Sequence, residues 1–103
     1  MKSIYEIDIK SIYEIHYDTG HSWLKVPKAD LVGYRVRGGH ITEFSYQDND
    51  YVYLEEDVDA IKFLMRERKL REIETVWIND GDLSPIRNLP RYRYDPCYAK
   101  YIM

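Results

Sequence analysis

The chain has 103 residues, 45% of them apolar and 32% charged, with a net charge of −3. These values describe one globular domain, residues 1–103, and exclude the disordered class. Cys97 is the only cysteine, which excludes a disulfide-stapled secreted fold, and no run approaches the length of a membrane span, so the expectation is a cytoplasmic protein with no membrane partner.

The predicted elements follow in chain order. From Tyr5 to Tyr17 the odd positions read Tyr, Ile, Ile, Ser, Tyr, Ile, Tyr, and the even ones are mostly charged. That period-two alternation predicts a strand with one buried face. Within it Lys2-Ser3-Ile4-Tyr5-Glu6-Ile7 recurs as Lys10-Ser11-Ile12-Tyr13-Glu14-Ile15. The offset is even, so both copies put the same side chains on the same face. A strand this long overhangs an ordinary sheet and offers an edge, hence a possible homodimer through the N-terminal strand; the alternative is a local duplication without a role.

Asp18-Thr19-Gly20 reads as a turn, and Ser22 to Val26 as a strand with Leu24 and Val26 inward. Pro27 opens a short helix, Lys28 to Val32, with Gly33 just past its end, and Tyr34 to Gly39 reads as an irregular basic connection. Ile41 to Tyr46 and Tyr51 to Leu54 make a hairpin around the turn chemistry of Gln47-Asp48-Asn49-Asp50. Glu55 to Leu70 reads as a long amphipathic helix with an apolar stripe of Val58, Ile61, Leu64 and Met65. A last strand, Ile73 to Ile78, ends at Asn79-Asp80-Gly81, and residues 84–103 form a tail rich in Arg, Tyr and Pro. The predicted fold class is α+β: a mainly antiparallel sheet of about 4–5 strands, with one long helix packed on one face and a short helix.

Eleven tyrosines are the compositional anomaly. Their rings suit half-buried sheet faces and interfaces. Charge is segregated as well. No Lys or Arg falls between Gly38 and Ile61, where Glu43, Asp48, Asp50, Glu55, Glu56, Asp57 and Asp59 all lie. One reading makes these carboxylates a partner-binding surface that imitates a phosphate backbone. The other makes them turn residues and a helix N-terminus. The tail interleaves Arg87, Arg91, Tyr92, Arg93, Tyr94, Tyr98 and Lys100, a pattern suited to single-stranded nucleic acid, where rings stack on bases and arginines meet phosphates. The alternative is a tail whose tyrosines pack on the sheet while its arginines stay in water.

No catalytic constellation emerges. His16, Asp18 and His21 are metal-capable residue types without ligand spacing. Asp48-Asn49-Asp50 lacks the glycine of a calcium loop, and Asn79-Asp80-Gly81-Asp82 lacks its terminal glutamate. Ser22 and His21 are neighbours predicted to point to opposite faces, and Cys97 has no identifiable base. No cofactor and no metal are expected.

Trp23-Leu24-Lys25-Val26-Pro27, Phe44-Ser45-Tyr46, Tyr53-Leu54-Glu55-Glu56-Asp57 with Asp59-Ala60, and Ser84-Pro85-Ile86-Arg87 together resemble a family of small proteins encoded by phages, prophages and plasmids. The resemblance spans about residues 16 to 94, and no catalytic residues are established for that family to carry over. It implies a context of proteins that bind and disable host machinery, including restriction and CRISPR complexes. The resulting expectation is a non-enzymatic protein that inhibits a host protein or protein–nucleic-acid complex. The alternatives are a nucleic-acid-binding accessory protein and a domain that binds or sequesters a nucleotide or other small molecule.

Overall fold

The computed structural model describes residues 10–94. Its elements are β1 (Lys10–Tyr17), β2 (Ser22–Pro27), α1 (Lys28–Val36), β3 (Tyr46–Gln47), β4 (Tyr51–Glu55), α2 (Asp59–Glu67) and β5 (Glu72–Asn79), followed by a 3-10 turn, Pro85–Asn88. The class is α+β as expected, with five strands in the order β3-β4-β2-β1-β5. Three strand pairs are antiparallel, but β1 and β5 run parallel. The parallel pair follows from connectivity. α2 carries the chain across the sheet from β4 to β5, so β5 runs in the direction of β4 and of β1.

Both helices cover one sheet face. Tyr13, Leu24, Val26, Val52, Leu54 and Ile73 point there and bury against Leu31 and Tyr34 of α1 and Ala60 and Phe63 of α2. Phe63 is the hub, with the Tyr34 and Tyr13 rings edge-on at 5.3 and 5.8 Å. The inward positions of β1 and β2 are those the alternation predicts. On the opposite face Trp23, Tyr53 and Ile86 form a smaller cluster with Tyr46, Tyr51 and Leu89 against it.

The helices correct the prediction. α1 runs through Gly33 to Val36, and α2 shortens to Asp59–Glu67, so the two are equal at nine residues and neither is the one long helix. Burial of Tyr34 outweighs the cost of a mid-helix glycine, about 1 kcal/mol. The helix stops instead at Gly38, whose φ of +89° suits glycine, and Gly39 lets the backbone pass so close to Tyr34 that a β-carbon would sit 2.5 Å from its ring.

The buried face of α2 is also rotated from the predicted stripe. Asp59, Ala60, Phe63 and Glu67 are buried, whereas Val58, Ile61 and Met65 are exposed. Two acids set that orientation: Glu67 pairs with Arg37 and Arg71, and Asp59 gathers Thr42 and Ser45. Those same bonds hold residues 41–45 as an irregular segment, so β3 is only two residues long. The N-terminal part of the predicted first strand, Tyr5 to Ile9, lies outside the described residues. No helix among the described residues is long and apolar enough to cross a membrane.

Candidate functional site

One carboxylate organises the region where several of the candidate side chains meet. Asp18 closes the β1–β2 turn by accepting the amides of Gly20 and His21 at 2.9 and 3.0 Å. It also accepts the Ser84 amide at 2.8 Å, and Arg87 Nε and Nη2 at 2.6 and 2.9 Å. The paired guanidinium, against the opposing effect of burial and with help from the three amides, holds the Asp18 carboxyl well below the usual carboxylate range. A turn and a distant segment are thereby joined, and Arg87 is fixed in place.

The fixed guanidinium lies 5.3 Å from the centroid of Trp23, and Arg91 lies 4.4 Å from that of Tyr46. The two rings meet edge-on at 6.2 Å. Arg91 Nη1 donates to the carbonyl of Phe44 at 3.1 Å, and the Gln47 amide donates to the carbonyl of Pro90, so the tail runs beside β3. These groups form one wall and the floor of an open cleft of about 410 Å³. Phe44 stands at its mouth, 61% exposed. A second depression, of about 460 Å³, lies on the other side of Phe44 and is lined by Arg35, His40, Glu43, Arg93 and Tyr94. Phe44 is thus a ridge between two hollows with basic and aromatic side chains on both flanks.

The opposite wall of the cleft comes from the start of α2. Glu55 accepts the amides of Asp57, Val58 and Asp59 at 3.0, 2.6 and 3.3 Å, which folds the turn that leads from β4 into that helix. Glu56 accepts Ser22 Oγ at 2.9 Å and faces His21 Nδ1 at 3.2 Å. Ser22 and His21, predicted to diverge, therefore meet on one carboxylate because His21 precedes the strand. The carboxylate lies between them, which is not a nucleophile–base arrangement.

The acidic segment is dispersed by the fold. Asp59 is 1% exposed and satisfies Thr42 and Ser45. Asp48 accepts two amides of its own turn and the hydroxyl of Tyr53 at 2.7 Å, and those bonds hold it below its ordinary value against the effect of burial. Burial and the Asp48 carboxylate together push the Tyr53 hydroxyl up. With Glu55 and Glu56 also engaged, Glu43, Asp50 and Asp57 are the exposed members, and Asp50 sits in the β3–β4 turn, whereas Glu43 and Asp57 line the two hollows. Asp59 is thus corrected from a surface residue to a buried anchor.

The tail candidates gather more closely. Arg87 and Arg91 line the cleft, and Arg93 and Tyr94 line the second hollow, where Arg35 stacks on Tyr94 at 4.4 Å. Tyr92 departs from the group and is buried in the main core. Tyr98 and Lys100, like Cys97, lie outside the described residues. The metal-capable set does not converge: Asp18 turns to Arg87, His21 to Glu56, and His16 places its ring nitrogens at 2.8 Å from Glu14 and 3.0 Å from Asp80.

Trp23, Phe44 and Tyr46 entered the sequence analysis only within the resemblance motifs, and neither they nor Arg35 were among the expected site residues. A legible signal existed for Trp23. Alternation puts it opposite the inward Leu24 and Val26, where a large ring requires a second partner layer. Comparison with protein-family models, with curated proteins and with solved structures finds no match to the chain.

Proposed function

We propose that this chain is a non-enzymatic binding protein of a mobile genetic element, and that it inhibits a host defence complex by occupying one of its surfaces with the Phe44 ridge. One observation carries the reading. Arg87 and Arg91 are held against Trp23 and Tyr46 beside an exposed Phe44, in an open cleft. Arginine, tryptophan and tyrosine in partly desolvated pockets are where interface binding energy concentrates, and arginines fixed beforehand lose less entropy on binding. The mobile-element setting is supported by the motif resemblance over residues 16 to 94.

The contact surface in this proposal is mixed in charge. Its carboxylates reduce to Glu43 and Asp57 at the rim, with the arginines and rings at the centre. The test is affinity capture from extracts of the host cell with the parent chain, Phe44→Ala and Arg91→Ala, each checked for folding by circular dichroism. A host complex recovered with the parent and lost with both folded variants is the expected result. Capture that survives both substitutions overturns the reading.

Arg35, Arg91, Arg93, Phe44 and Tyr94 on one side of the molecule also support a second reading, single-stranded nucleic acid. Fluorescence titration with labelled single-stranded DNA and RNA at two salt concentrations tests it. The expected signature is binding that weakens steeply with salt and is lost in Arg91→Ala; no binding at low salt dismisses it.

A further inference from the structure

The two edges of the sheet are finished differently. At one end β3 is two residues long, and the segment after the 3-10 turn covers it. Tyr46 bridges to Arg91, the Gln47 amide donates to the Pro90 carbonyl at 2.9 Å, and the Tyr92 amide donates to the Ser45 carbonyl at 2.7 Å. At the other end β5 pairs with β1 without a break from Glu72 to Asn79, and no strand among the described residues pairs with its outer side. That side offers a row of backbone donors and acceptors to a further strand. Proteins ordinarily blunt such an edge with a lysine, a proline, a bulge or brevity. The eight residues Glu72–Asn79 use none of these devices. They also leave Trp77 64% and Val76 43% exposed, one on each face of the sheet. β1, by contrast, lies between β2 and β5 and has no free edge over Lys10–Tyr17.

We propose that β5 pairs antiparallel with β5 of a second copy of this chain, about a two-fold axis that passes through Thr75 perpendicular to the sheet. A second copy is the occupant because the strand is complementary to itself in that register. Its only charged residues, Glu72 and Glu74, lie in its first three positions, so antiparallel pairing sets them against apolar residues of the other copy. Glu72 faces Ile78, and Glu74 faces Val76. On the helix-covered face each Trp77 faces Ile73, and Thr75 faces its own counterpart. Aromatic with β-branched and threonine with threonine are favourable cross-strand pairs. Opposed residues share a sheet face, which restricts the axis to a residue position. An axis at Ile73 opposes Glu72 to Glu74, and one at Glu74 opposes that residue to itself. An axis at Val76 or Trp77 brings Glu72 or Glu74 against Asp80. All of these are like-charge pairs, which destabilise a ladder, and Thr75 avoids them while keeping nearly the whole strand paired. The two five-stranded sheets then join into one with both helix layers on the same face. The Phe44 ridge, beside β3 at the far edge, is untouched, so the pairing stands independently of the proposed binding activity.

Sedimentation equilibrium of the full chain, over a concentration series reaching millimolar, should show a reversible monomer–dimer equilibrium. Amide hydrogen exchange over the same series should show protection that grows with concentration at alternate amides of residues 72–78, on both sides of Thr75. A monomer at every concentration overturns the proposal, whether its β5 amides exchange freely or are protected by another segment of the same chain. A dimer whose β5 exchange is independent of concentration overturns it as well, and protection on one side of Thr75 refutes the axis. Thr75→Lys and Thr75→Glu, each checked for folding by circular dichroism, test the axis directly. Either one alone sets like charges against each other and should weaken the dimer roughly tenfold. An equimolar mixture sets lysine against glutamate and should recover it as a heterodimer. Single variants that dimerise like the parent, or a mixture that associates no more tightly than they do, sink the register. If a variant does not fold, the exchange pattern of the parent decides.

Discussion

The two faces of the sheet are held by different physics. The helix-covered face buries Leu24, Val26, Val52, Leu54 and Phe63 without exposure of consequence, and its stability comes from removing apolar surface from water. The opposite face carries Trp23, Tyr46, Tyr51 and Tyr53, and a 3-10 turn covers part of it, with a buried carboxylate and two stacked guanidiniums as its ties. Apolar packing is non-directional and leaves little to recognise. The other face keeps its polar groups oriented and partly wet, which is the kind of surface the proposed binding requires. The contrast separates what makes the chain fold from what it offers to other molecules.

Predictions that break this contrast run from the core outward. Phe63→Ala removes the hub of the sealed face and should lower stability by about 3–5 kcal/mol, read from the urea midpoint. Asp18→Asn strikes the tie of the open face. Its carboxyl lies below the ordinary value when folded, so the stability it contributes is present above about pH 4 and lost as the pH falls below that. The variant should therefore melt on the order of 10 °C lower near neutrality, with the gap to the parent closing in acid.

Tyr13→Phe sharpens the comparison from the sealed side. Burial, reinforced by Asp30, pushes the Tyr13 hydroxyl up to about 12. A raised value means that its contribution is complete below about pH 10 and disappears as the pH climbs toward 12. The phenylalanine variant should lose about 1 kcal/mol near neutrality and lack this part of the alkaline decline, as denaturation across that pH range would show. Phe44→Ala and Arg91→Ala have the smallest effect on folding, within about 0.5 kcal/mol, because neither group is part of a core. In them binding and stability come apart, and a large stability loss would mean that the ridge is structural.

The strands were legible where one face is buried and the other wet. Alternation in Lys10–Tyr17 and Ser22–Pro27 identified the inward residues correctly, and the turn residues placed the β3–β4 hairpin. The helices were less legible. Val58, Ile61, Leu64 and Met65 have good helical spacing, yet the buried side of α2 includes two acids. Hydrophobic pattern alone cannot anticipate a carboxylate that is buried because Thr42, Ser45, Arg37 or Arg71 arrives from elsewhere in the chain. The candidate site shared that limit. Arg87 and Arg91 were visible as basic tail residues, but their aromatic partners come from β2 and β3.

Taken alone, the amino-acid order determined the α+β class, the faces of β1 and β2 and the hairpin turn. These follow from local periodicity and turn chemistry, which act over a few residues. Tertiary structure alone decided which carboxylates stay in solvent, which face α2 buries and which rings the arginines cover. Each of those outcomes depends on groups as far apart as Asp18 and Arg87, brought together only when the chain closes on itself.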